Sequence, residues 1–179
     1  LSHGLNNDTG LIQAGKNLSI DSQNQDLSNQ QSGTAGGLIA QNELSIQNVQ
    51  QLNNRQGFIG ANTSVDLQAQ QVQNQKGQIV SSQNLSIQTS GIAGEINNQE
   101  GKIVAQGNMQ LHTAKLNNSA ISAEGSQIIA AKDLQINADQ LLNANTFSAA
   151  AQGIDAENIQ IYTQQLDNQQ GAIRASGHS

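Results

Sequence analysis

Residues 52–70 read LNNRQGFIGANTSVDLQAQ, and residues 72–90 read VQNQKGQIVSSQNLSIQTS. Laid one above the other, the two lines share a frame. A branched apolar residue (Leu52, Val72) is followed two places on by Asn (Asn54, Asn74). Then come Gly (Gly57, Gly77), an apolar residue (Ile59, Ile79) and a small one (Ala61, Ser81). A polar turn leads to a second apolar pair, Val65 with Leu67 and Leu85 with Ile87. Apolar residues two apart lie on one face of a strand, whereas a helix calls for spacings of three and four. Each line therefore reads as short strands joined by tight corners.

Working outward, the opening phrase recurs at Leu5, Leu27, Leu52, Val72, Ile96, Leu116, Leu141 and Leu166, which number the rungs from one to eight. Every copy keeps its Asn: Asn7, Asn29, Asn54, Asn74, Asn98, Asn118, Asn143 and Asn168. Gly recurs five places after the start at Gly10, Gly57, Gly77, Gly101 and Gly171. Spacings between starts are 22, 25, 20, 24, 20, 25 and 25, a base period of twenty with insertions at discrete places. Rungs two and six rejoin the frame after an insertion, at Leu38 and Ile128, and rung seven is expected to rejoin at Ile159 and Ile161.

No single unit can bury its own apolar face. Stacking equivalent strands buries them all and completes the backbone ladder. The expected fold is all-β: a right-handed parallel β-helix, one solenoid over residues 1–179, with about eight rungs. A stacked Asn amide can donate to one neighbour and accept from the other. Asn also tolerates left-handed backbone at a corner. The Gly column is expected to mark a second corner with positive φ.

Composition agrees with a thin, elongated core. Only 35% of the 179 residues are hydrophobic and 2% aromatic, too little for an ordinary globular interior. A disordered Gln/Asn-rich tract would lack fixed apolar columns. The net charge is −6, and the seven Lys and Arg are scattered singly, so no basic stripe tracks nucleic acid. Cysteine is absent, which removes disulfides and thiolate metal sites, and proline is absent, which suits a chain whose N–H groups fill ladders. The opening Leu1-Ser2-His3-Gly4 does not have the make-up of a signal peptide, and the chain is expected to be a fragment of a larger exoprotein.

Three stretches carry a family likeness: LNNRQGFIGANTSVDLQAQ (52–70), INNQEGKIVAQGNMQLHTAK (96–115) and LDNQQGAIRASG (166–177). They resemble the haemagglutinin repeats of filamentous haemagglutinin and of the shafts of contact-dependent growth inhibition toxins. The likeness runs from Leu5 to Ala175. It implies a two-partner secretion exoprotein of Gram-negative bacteria. Such a protein leaves the cell unfolded through an outer-membrane barrel transporter, folds outside and stays secreted or at the cell surface. It also implies adhesion or toxin delivery, with a host or bacterial cell-surface receptor as a further partner. Motifs NPNL and VENN of the family do not occur.

Chemistry is hard to assemble from these residues. Glycoside hydrolysis needs two carboxylates facing one groove at a set separation. Asp21 follows the last apolar position of its rung, Asp66 lies between two apolar residues, and Glu43 and Asp133 share a turn column four rungs apart. Glu95 and Glu100 are near in sequence, with an inserted loop expected to separate them in register. Histidines His3, His112 and His178 are singletons, and His112 falls at an outward strand position. No catalytic, cofactor or metal residue is therefore assigned, and the chain is expected not to be an enzyme.

Binding has better candidates. Phe58 and Tyr162 fall at outward positions four rungs apart, too distant for one small ligand. Insertions in rungs two, six and seven fall between the Asn column and the next apolar column, so they should leave the shaft on one side. Those around 120–125 and 145–151 sit on consecutive rungs and could form one protrusion. The expected function is a structural shaft presenting a distal adhesive or toxin module. The alternative is a direct adhesin that binds a receptor or glycan through the inserted loops. Cut solenoid ends expose unpaired strand edges, so end-to-end association is expected of the isolated fragment.

Overall fold

The computed structural model describes residues 4–147 and 152–177. Every element among them is a strand, and every strand pair is parallel. The strands form one sheet of nine and one of eight. The eight-stranded sheet is built from four-residue pieces such as Phe58–Ala61, Gln78–Ser81 and Lys102–Ala105. The other sheet is built from long pieces such as Glu43–Asn53, Ser64–Gln73 and Asp133–Leu142. Chain order alternates between them, except that the consecutive strands Asn84–Thr89 and Glu95–Asn97 both join the sheet of nine, and the backbone winds as a parallel β-helix.

The register is the one the repeat demands. Leu38, Ile59, Ile79, Ile103, Ile128 and Ile154 stack as one inward column. Leu27, Leu52, Val72, Ile96, Leu116 and Leu141 form another, each fully buried. Burying one such side chain stabilises the fold by about 1.5–3 kcal/mol. No turn can claim that gain alone, because each side chain is covered by the turns above and below it.

Successive Asn residues lie 20 to 25 positions apart, so a twenty-residue turn is the minimum and occurs twice. Seven such steps at ~4.8 Å each span about 34 Å. Rung seven returns to the frame earlier than its sequence suggested. Gly153–Ala156 is a regular strand, and Ile154 pairs with Ile128 before Ile159 and Ile161 are reached.

The Asn column is a continuous amide ladder. Each Nδ2 donates to the Oδ1 of the next turn at 2.7–2.8 Å, from Asn7 through to Asn168. The second N–H of Asn29, Asn54, Asn74, Asn98 and Asn143 reaches a backbone carbonyl one turn on, at 2.9–3.2 Å. Asn29, Asn54, Asn74, Asn98, Asn118 and Asn143 are completely buried. Both hydrogens and the oxygen of an interior amide are thus used, which removes the usual cost of burying it. None of these Asn residues has positive φ, so the ladder explains the column and left-handed backbone does not.

The Gly column also has a different cause from the one expected. Positive φ falls one residue earlier, on Thr9, Gln56, Lys76, Glu100 and Gln170, at 51–56°. The glycines themselves are needed for space. A Cβ on Gly57 would fall on the Asn29 carbonyl oxygen, and Gly77 and Gly101 meet the carbonyls of Asn54 and Asn74 in the same way. The ladder draws each corner so close to the one below that only a hydrogen fits between them.

Among the described residues no further strand covers the outer edges of Asn158–Asp167 and Ile173–Ala175 at one end, or of Leu11–Ala14 at the other. Leu166 is half-exposed there, and so is Leu11.

Candidate functional site

The acidic residues are dispersed, and three are neutralised by neighbours: Glu100 by Lys76 at 3.4 Å, Glu95 by Lys115 at 3.0 Å and Asp155 by Arg174 at 2.9 Å. Glu95 and Glu100 are not parted by a loop. The insertion at 90–94 precedes Glu95, and the strand Glu95–Asn97 with the Asn98 corner lies between the two carboxylates. Glu43 and Asp133 stand in one turn column, as their spacing indicated, and Asp133 accepts from Asn158 Nδ2 at 2.9 Å. Among the described residues no three His, Asp or Glu side chains converge as metal ligands. His3 and His178 lie outside the described residues.

Among the described residues Glu100 is the one deeply buried carboxylate, with its side chain 3% exposed. A hydrogen bond from the Ser122 side chain, opposed by burial and assisted by Lys76, holds its carboxyl below the usual glutamate range. Ser122 belongs to the rung-six insertion. That insertion is tied to the shaft by Glu100 N–H donating to Ser126 Oγ at 2.7 Å, while Ser126 Oγ donates to the Ser119 carbonyl at 2.9 Å. Just after the rung-seven insertion, Gln152 Nε2 donates to the Ala123 carbonyl of the rung-six insertion at 2.9 Å. Residues 148–151 of the second insertion lie outside the described residues. Hydroxyls repeat the anchoring. Ser32 Oγ accepts from Phe58 N–H at 3.1 Å, and Thr146 Oγ1 accepts from Ala172 N–H at 3.0 Å.

The two outward rings have different surroundings. Phe58 is half-buried, its ring lying over Gly60 where a Cβ would meet it. Tyr162 is 58% exposed and belongs to a column that the sequence reading did not assemble. His112 pairs in register with Asn137, and Asn137 with Tyr162, so three planar polar side chains project from consecutive turns. Beside them the long strands bend at Thr89, Thr113, Ala138 and Thr163. Above the bend stands the fourth insertion, residues 90–94 of rung four, with Ile92 fully exposed at its tip.

Together these residues line an open groove of about 790 Å³. A second hollow of about 260 Å³ shares Ile92 and Asp139 with it, so Ile92 forms a ridge between the two. The loop that raises Ile92 is pinned at both ends. Ser90 N–H donates to the Ala69 carbonyl at 3.1 Å, and Lys115 N–H to the Gly94 carbonyl at 2.9 Å. Beneath it, Thr89 Oγ1 donates to Thr113 Oγ1 at 2.7 Å, both side chains buried. The sequence signal was there: Thr89 and Thr113 each sit two places after an inward residue, Ile87 and Leu111, on the same face.

Set against family models, curated proteins and solved structures, the chain matches none of them.

Proposed function

We propose that this chain is a structural shaft segment of a secreted Gram-negative surface exoprotein, holding a distal adhesive or toxin-delivery module away from the cell. The observation that carries this reading is the amide ladder running through all eight turns without a break. A column of buried, mutually hydrogen-bonded amides resists bending and separation of turns, which is what a spacer must do. The surface supports it too: 11% charged residues, of both signs and scattered, give a neutral amide coat with little general stickiness. The resemblance of the repeats to haemagglutinin repeats supports export by a two-partner route through an outer-membrane barrel. Lack of cysteine suits a chain threaded unfolded.

Antibodies raised against the segment test this. They should label intact, non-permeabilised cells that make the protein and decorate filaments at a fixed distance from the outer membrane. Deleting the outer-membrane transporter should abolish the label. Labelling that requires permeabilised cells rejects the proposal.

A second reading, direct adhesion, is favoured by one feature: the groove beneath Ile92, an exposed apolar tip and an exposed ring on a pinned scaffold. Loops held by a rigid framework are common binding positions.

A further inference from the structure

We propose that the groove bounded by Ile92, His112, Asn137 and Tyr162 is a binding site for a neutral, linear oligosaccharide of two to three sugar units. This goes beyond the shaft reading and stands or falls separately, since surface labelling tests the one and ligand binding the other.

Three features of the groove select this ligand. The first is spacing. His112, Asn137 and Tyr162 repeat once per turn in strict register. Parallel strands set that repeat at ~4.8 Å. A linear polysaccharide laid along the helix axis presents one pyranose ring per comparable step, so successive sugars meet successive side chains. The second is chemistry. An imidazole, an amide and a phenol offer donors and acceptors in fixed planes, and the amide and ring faces suit the alternating C–H and O–H surfaces of a sugar. Tyr162 provides the aromatic platform, and Ile92 on the opposite wall offers an apolar face that no described residue covers. The third is charge. Asp139 is the sole acidic residue lining the groove and no Lys or Arg lines it, which disfavours anionic glycans. Lys115, in the adjoining hollow, is already paired with Glu95.

The site is also preorganised. The Ile92 loop is held by backbone bonds at both ends, and Thr113 Oγ1 lies 3.1 Å from the Gly94 carbonyl at its base. Little ordering is left to be done on binding, which favours affinity for a flexible sugar chain.

The molecule carries its own reporter. Tyr162 is the single tyrosine and there is no tryptophan, so tyrosine emission reports on this groove alone. Titration with cellohexaose and chitohexaose is expected to change that emission saturably for at least one of them. Calorimetry should then show binding weakened about tenfold in Tyr162→Ala, the loss of one aromatic anchor. Ile92→Ser and Asn137→Ala should each weaken it severalfold while thermal melts stay unchanged, since both changes leave the inward columns intact. Polygalacturonate oligomers, the acidic counterpart, should bind at least tenfold more weakly. No saturable change with either neutral hexaose overturns the proposal. So does binding that survives Ile92→Ser and Asn137→Ala unaltered, or a groove that takes a protein ligand and no sugar.

Discussion

Two inward corners of the same coil follow different rules. At the Asn corner all eight turns carry one residue type, and the partners run in a single direction along the axis. At the bend of the long strands, Val49, Ala69, Thr89, Thr113, Ala138 and Thr163 occupy equivalent places with no common chemistry. The first corner buries a polar group in every turn, so each amide needs its neighbours and no turn can deviate alone. The second buries a small side chain that needs only to fit. Variation is therefore tolerated at the bend, and there the chain accommodates the 90–94 insertion, the buried threonine pair and the groove. Uniformity marks the place that holds the coil together, and diversity marks the place free to acquire a surface role.

Breaking the uniform corner should have the largest effect. Asn74→Leu leaves the Asn54 amide without its acceptor and the Asn98 oxygen without its donor, both fully buried. With each orphaned group costing about 1–3 kcal/mol, a loss of about 4 kcal/mol is expected in urea unfolding. Asn74→Ser, which keeps one polar atom but cannot span two turns, should fall between that and wild type. A stability unchanged by Asn74→Leu would reduce the ladder to a decoration.

Next in size is Gly77→Ala. Its Cβ would collide with the Asn54 carbonyl oxygen, which cannot retreat without stretching the ladder. About 3 kcal/mol is expected, as for other overpacked sites. Gly15→Ala serves as the control, because nothing lies within 4 Å of the added carbon. It should be neutral within about 0.5 kcal/mol. Equal effects at the two sites would contradict the close-approach explanation of the Gly column.

The smallest effect belongs to the bend. Thr113→Val keeps shape and removes the acceptor of the Thr89 hydroxyl. A cost of about 1–2 kcal/mol is expected. Thr89→Val with Thr113→Val together should cost less than the sum of the two alone, since no orphaned hydroxyl remains. Such a double-mutant cycle isolates the pair. Additivity would mean that the two hydroxyls do not depend on each other.

Much of this fold was legible in the sequence because a solenoid turns a long-range problem into a local one. Each residue contacts its equivalent one turn away, so columns in the sequence become columns in space. Asn54, Asn74 and Asn98 could be placed together by counting. The glycines were placed rightly and explained wrongly. Their positions repeat in the sequence, but the carbonyl that crowds each one comes from a neighbouring turn. Glu95 and Glu100 were misread because the position of an insertion within a turn depends on where the strand ends.

The candidate groove was less accessible. Tyr162 and His112 were each recognisable as outward side chains. Their alignment with Asn137 depends on counting through two insertions in different turns, and the height of Ile92 depends on how the loop is pinned. What the sequence by itself determined is the parallel coil, its period and its buried columns, because period-two apolar patterning and a repeated Asn leave the chain one way to bury both. What only the tertiary structure decided is which irregular residues meet. Insertions carry no repeat, and their placement is set by hydrogen bonds to turns distant in sequence.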